Sequence, residues 1–311
     1  MKIVGLDELV FGVDDVGACS RYLVDYGLNE VGGGRYEALD GTAVVLRHKD
    51  DPSLPPGLAS GSMLRETVHG VADKATLDAL ESELSSDRKV TREDGVLRCV
   101  DDAGFAIAFQ VTVRRPIDLP REMSNAPGAA QHRGVNALGV RLDAPVSPRT
   151  LSHVVYFVPD TDKLEAFYRR IGFRVTDRML GCGPFMQPAG TLDHHTIFLI
   201  QTPAFMQGVE HFTFRLGGPT ELMLAGSRFV EKGYQSFWGP GRHKMGSNWF
   251  WYFNSPLGCH VEYDADMDLH DASWQPRSAP MGADSSQAFL LQYREKWAPG
   301  GPPPGAAATG H

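Results

Sequence analysis

Between Trp238 and Asp266 the chain reads WGPGRHKMGSNWFWYFNSPLGCHVEYDAD, and this run holds a histidine (His243), a tyrosine (Tyr252) and a glutamate (Glu262). Trp249, Trp251 and Phe253 alternate with Phe250 and Tyr252, the pattern of a buried strand, and Ser255-Pro256-Leu257-Gly258 reads as the turn into the next strand. Such a hairpin carries Tyr252 and Glu262 to the same end of one sheet. Burying a carboxylate there is costly unless something positive pairs with it, and the candidate partner is a metal ion.

The other candidate ligands emerge when the chain is laid on itself. LVFGVDDVGACSRYLVDYGL (9–28) aligns without a gap on VVYFVPDTDKLEAFYRRIGF (154–173), and DAGFAIAF (102–109) aligns on PLGCHVEY (256–263). In this overlay His153 falls opposite Glu8, Glu262 opposite Ala108, and His211 near Glu66 and Thr67, with His69 close by. Three ligand-type side chains at comparable strand positions coincide only in the C-terminal half. Taken alone, each histidine reads more readily as a satisfied half-buried residue, and Glu262 as a surface acid. Together, two imidazoles and one carboxylate occupy one face of a metal and leave the other open, the donor set of mononuclear non-haem Fe(II), or Mn(II), in oxygen chemistry.

The elements that must hold these residues follow a repeated order. Residues 7–13 read as a strand and 15–26 as an amphipathic helix, followed by three strands to about residue 49. Residues 63–113 repeat strand, helix and three strands. Pro116, Pro120, Pro127, Pro145 and Pro148 interrupt the pattern before it restarts. The expected fold is α+β, with four βαβββ modules forming two cupped, barrel-like mixed sheets with flanking helices. The expected organisation is an N-terminal pair of modules without a metal site (1–115), a linker (116–150) and a C-terminal pair carrying the site (151–265). A packing segment (266–297) and a Pro/Gly/Ala-rich disordered tail (298–311) follow.

Composition narrows the partners. The formal net charge of -8 and pI near 5.8 argue against a nucleic-acid ligand. No apolar run reaches bilayer length and the first residues lack a secretory pattern, so a cytoplasmic location without membrane contact is expected. Cys19, Cys99, Cys182 and Cys259 are scattered and suggest neither a disulfide frame nor a thiolate site.

The C-terminal half resembles the type I extradiol ring-cleavage dioxygenases of the vicinal oxygen chelate superfamily, and the resemblance extends more weakly over residues 5–265. It rests on HVVYFVPD at 153, DHHTI at 193, EHF at 210, PGRH at 240 and the spacing from Tyr252 to Glu262. The resemblance implies His153, His211 and Glu262 as metal ligands, His195 as the acid/base, Tyr252 as a pocket tyrosine and His243 as a contact to a substrate hydroxyl. Arg242, Asn248, Trp249 and Phe185 are further substrate-binding candidates, with Arg242 equally readable as half of a surface salt bridge. His194 is expected to point away from the pocket by strand alternation. The chain departs from the family pattern in the run 244–248 after His243, and the Gly/Pro-rich stretch 178–193 reads as an idiosyncratic loop. The implied activity is extradiol cleavage of a catechol-type aromatic by dioxygen at Fe(II), or Mn(II), in a homo-oligomer. The alternatives are a non-oxidative enzyme of the superfamily (isomerase, lyase or thiol transferase) and a non-catalytic aromatic-binding protein.

Overall fold

The computed structural model describes residues 1–130 and 133–291. Its first half runs β1 (Ile3–Val13), α1 (Val16–Tyr26), β2 (Asn29–Gly32), β3 (Arg35–Glu37), β4 (Ala43–His48), β5 (Leu64–Val71), α2 (Lys74–Leu84), β6 (Thr91–Glu93), β7 (Val96–Val100) and β8 (Ala106–Val111). The second half opens with β9 (Thr150–Val158), α3 (Thr161–Arg170), β10 (Phe173–Leu180), β11 (Gly183–Pro188) and β12 (Ile197–Gln201). It continues with β13 (Gly208–Arg215), α4 (Pro219–Glu231), β14 (Ser236–His243), β15 (Trp249–Asn254) and β16 (His260–Ala265), then β17 (Arg277–Pro280), α5 (Ala283–Ser286) and β18 (Gln287–Leu290). Four βαβββ modules thus form an eight-stranded sheet, β2-β3-β4-β1-β5-β8-β7-β6, and a ten-stranded sheet, β17-β10-β11-β12-β9-β13-β16-β15-β14-β18.

The repeat has a local cause. Asp15 and Asp160 occupy matching positions and cap α1 and α3, accepting hydrogen bonds from the amides of Ala18 (2.8 Å) and Lys163 (2.9 Å). Gly27 and Gly172 close the two helices in the left-handed region, at φ 110° and 100°, which glycine reaches without a Cβ penalty. Between cap and stop, α1 buries Cys19, Tyr22, Leu23 and Tyr26, and α3 buries Leu164, Phe167 and Tyr168, one stripe in each case.

The two halves share one apolar core. Tyr26 of α1 stacks on Tyr263 of β16, with centroids 4.0 Å apart and planes inclined by 4°. The Tyr26 hydroxyl donates to the Glu262 carbonyl, and Tyr263 donates to the Tyr26 carbonyl at 2.6 Å. The N-terminal half therefore braces the backbone of the strand that carries Glu262.

Two expectations change. Most of 178–193 is strand: β10 and β11 form a hairpin turning at Gly181 (φ 76°), whose glycine hid the apolar alternation on either side. The segment after residue 265 does more than pack on the surface. β17 pairs with β10 at one edge of the second sheet and β18 pairs with β14 at the other, so the chain between them straps the two edges together. Residues 292–297 of the expected packing segment and the tail 298–311 lie outside the described residues. Among the described residues no helix is long and apolar enough to cross a membrane.

Candidate active site

At the centre of the second sheet, β13 lies between β9 and β16, with Thr213 opposite both His153 and Glu262 and with His211 opposite Val155. Alternation turns His153, His211, Thr213 and Glu262 to one face. One ligand atom from each of His153, His211 and Glu262 falls within 4.8 Å of the others, and all three residues are buried. His153 Nε2 is 3.1 Å and His211 Nε2 3.5 Å from Glu262 Oε2, which also accepts from the Thr213 hydroxyl at 2.5 Å. Glu262 Oε1 and His211 Nε2 are buried with no hydrogen-bond partner. Unpartnered buried polar atoms converging with a fully buried carboxylate are what a cation would satisfy, so these residues fit a divalent metal.

Each imidazole is held from behind. His211 Nδ1 bonds Glu210, whose other oxygen lies 2.9 Å from His260 Nδ1, while His153 Nδ1 lies 3.2 Å from the Ser152 hydroxyl. Such outer contacts fix which ring nitrogen faces a metal. Burial would raise the Glu210 carboxyl, but the His211 and His260 rings bring it down to about 2. Burial likewise acts to raise Glu262, yet the close His153 contact and the pull of the His153 and His211 rings hold it well below the ordinary carboxylate range. Desolvation depresses His153. His195 is depressed further, by burial and then by the neighbouring His153 and His194 rings. The Tyr252 phenol is pushed up by burial and by the Glu262 charge, and is therefore a hydrogen-bond donor.

His153 and His211 open onto a cavity of about 490 Å3, with Glu262 buried beside them. His195, His243, Tyr252, Asn248 and Phe185 line it. Tyr252 is the direct cross-strand neighbour of Glu262, and its hydroxyl lies 3.2 Å from His243 Nε2. His243 Nδ1 lies 2.9 Å from the Ser286 carbonyl of α5, which can only accept, so the neutral ring donates there and accepts from Tyr252 at Nε2. Both polar atoms of the Asn248 amide are buried without a protein partner, leaving it free for a ligand.

Two sequence candidates lie elsewhere. Arg242 pairs with Asp266 at 2.8 Å and sits over the Trp249 ring, outside the cavity lining, because its position on β14 alternates with that of His243. Trp249 faces the core side of β15 against Phe289, since its parity on the strand is opposite to that of Tyr252. Sequence reasoning missed Thr213, Glu210 and Asp177 and set His194 aside. His194 lies outside the cavity lining, buried behind His195 with its Nδ1 2.9 Å from that ring's Nδ1. Glu210 was readable as the acid next to a ligand histidine. Asp177 carried no local signal.

Residues 150–263 match the profile of the Glyoxalase/Bleomycin resistance protein/Dioxygenase superfamily. The chain is 32% identical over 175 residues to metapyrocatechase 2 of Cupriavidus necator, covering 56% of this chain but only 52%, about half, of that relative's length. It is 26% identical over 293 residues to biphenyl-2,3-diol 1,2-dioxygenase of Paraburkholderia xenovorans, covering 88% of this chain and 91% of that one. Among solved structures the fold is similar to a Mn(II)-bound glyoxalase from Novosphingobium aromaticivorans, with TM-score 0.72 at 21% identity over 92% and 90% of the two chains.

Proposed function

We propose that this chain, which belongs to the vicinal oxygen chelate superfamily on its type I extradiol dioxygenase branch, catalyses oxygen-dependent extradiol cleavage of a catechol bearing an uncharged, apolar substituent. The observation that carries the reading is the buried His153–His211–Glu262 cluster facing His195, His243, Tyr252 and Asn248 across one cavity. The relatives named for metapyrocatechase and biphenyl-diol dioxygenase activity support the reaction class.

The three ligands would hold Fe(II), with Mn(II) accepting the same donors, and the bound ion would supply Lewis acidity to the catechol oxygens and a site for dioxygen. His195, which lines the cavity with its Nδ1 engaged by His194, takes a catechol hydroxyl proton and returns it as the ring opens. Asn248 and the Tyr252–His243 pair hydrogen-bond the substrate oxygens. Phe185, Phe198, Met179, Ile200 and Trp238 hold the aromatic body and exclude water. Among the described residues no lysine or arginine lines the cavity, so a carboxylated catechol would enter without a counter-ion.

The test is anaerobic Fe(II) loading followed by oxygen uptake over a panel of catechols. The expected result is a yellow ring-opened product, formed fastest from aryl- and alkyl-substituted members and slowest from carboxylated ones. Turnover of a substrate under strict exclusion of oxygen, or no uptake with any catechol, would overturn the reading.

A further inference from the structure

The two adjacent histidines of DHHTI are joined, and behind them stands a chain of polar groups reaching the C-terminal strap. His195 Nδ1 lies 2.9 Å from His194 Nδ1, and His194 Nε2 lies 2.9 Å from Asp177 Oδ2 on β10. Asp177, fully buried, accepts from Arg277 of β17 through Nη2 (2.5 Å), Nε (3.1 and 3.2 Å to its two oxygens) and the backbone amide (2.8 Å). The groups come from three elements: β10, the segment before β12, and the strap.

Hydrogen-bond accounting fixes the direction of this chain. A carboxylate gripped by a guanidinium offers only acceptors, so His194 Nε2 must be the donor. Arg277 already balances the charge of Asp177. A second cation on the fully buried His194 would stand uncompensated, and the ring is therefore neutral, with a lone pair at Nδ1. That lone pair requires a hydrogen on His195 Nδ1. The remaining nitrogen of His195, Nε2, has no protein partner among the described residues, and His195 lines the cavity.

We propose that Arg277, Asp177 and His194 are positioning residues that fix His195 as the Nδ1–H tautomer and present Nε2 to the cavity as a hydrogen-bond acceptor. The catalytic meaning rests on the reading of His195 as the acid/base; the tautomer itself does not. The loop after His243 supports the same relay: a Cβ at Gly246 (φ 81°) would come within 3.0 Å of His194 Nδ1, so the side-chain-free position lets that loop close over the ring. The strap thereby sets both cavity histidines, His195 through Arg277 and His243 through the Ser286 carbonyl.

The test begins with 15N spectra of the zinc-loaded full-length chain, which report each histidine nitrogen as protonated or not. A protonated Nδ1 and bare Nε2 on His195 are expected, and the reverse overturns the proposal. Two variants then separate relay from packing. His194→Gln can donate to Asp177 and accept from His195, whereas His194→Phe fills the space and does neither. His194→Phe should lower kcat on 2,3-dihydroxybiphenyl by about 10–100-fold with KM and metal content little changed, and His194→Gln should restore most of the rate. Equal rates in the two variants would overturn the relay. If the phenylalanine variant does not fold, the wild-type spectrum and the glutamine variant decide. His195→Ala at full rate would instead remove the acid/base reading while leaving the tautomer to the spectra.

Discussion

The two sheets place the same three positions in the same geometry and fill them differently. In the second, His153, His211 and Glu262 face one another. In the first, the strand pairings of β1 with β5 and β5 with β8 put Glu8, Glu66 and Ala108 at the corresponding places. The first cup answers its carboxylates from within the chain: Glu8 pairs with Arg35, and Glu66 lies 3.2 Å from Arg98 Nε. In the second cup Glu262 is fully buried, with two imidazoles within 3.5 Å and no lysine or arginine lining the cavity among the described residues. One scaffold therefore closes its concavity with internal ion pairs, and its copy leaves a negative charge for an external cation. The βαβββ frame needs neither solution to fold, since Ala108 serves where Glu262 stands.

The largest expected effect breaks the copy that differs. Glu262→Gln or His153→Ala should lose metal and oxygen uptake by more than the ~10–100-fold typical of outer contacts, while Glu66→Gln at the matching position leaves both within about twofold. Metal analysis beside an oxygen electrode reads the contrast, and equal losses from both sheets would end it.

Next comes the reverse transplant. Ala108→Glu puts a carboxylate on a fully buried position whose neighbouring arginines are already paired. Unfolding in urea should show a cost of about 3–5 kcal/mol, and parental stability at pH 8 would mean that the first cup tolerates an unpaired acid after all.

A smaller effect lies in the turns before β8 and β16, where Asp101 and Ser255 hold matching positions. Asp101 Oδ1 accepts from the Ala103 and Phe105 amides, but Oδ2 is buried without a partner, and burial raises the carboxyl from 3.8 to about 7. The folded state thus holds this proton more tightly than the unfolded chain. Its stabilising contribution is complete below pH ~4 and is lost as pH rises through about 7, on the order of a few kcal/mol. Asp101→Asn keeps the amide contacts and should flatten this slope, so that the variant is more stable than the parent at pH 8 in thermal melts. An unchanged slope would show that Asp101 is ionised at little cost. The smallest effect belongs to Arg242→Ala, which breaks a surface pair worth at most about 1 kcal/mol and should leave KM for an uncharged catechol within about twofold.

Much of this was legible in the sequence because it is local or periodic. Asp15 and Asp160 start helices, Gly27 and Gly172 end them, and strand alternation assigned Tyr252 and Phe250 to one side of β15. The overlay of the halves also isolated His153, His211 and Glu262 as the residues the fold does not require. Where short-range signals were weak, the reading failed in recognisable ways. Gly181 and Pro184 disguised a hairpin as a loop, and Arg242 was drawn toward the pocket by adjacency to His243 although alternation turns it outward.

The sequence by itself determined the modules, their duplication and which residues form the candidate ligand set, since capping and alternation are written within a few residues and the repeat shows when the chain is laid on itself. Only the tertiary structure decided what stands behind that set. Asp177 reaches His194 across seventeen positions and Arg277 reaches Asp177 across a hundred. Tyr26 braces Glu262 from the other half of the chain, and the strap closes two sheet edges over the cavity. Contacts between residues so far apart depend on how the sheets pack and on which edges remain open, and no periodicity along the chain encodes them.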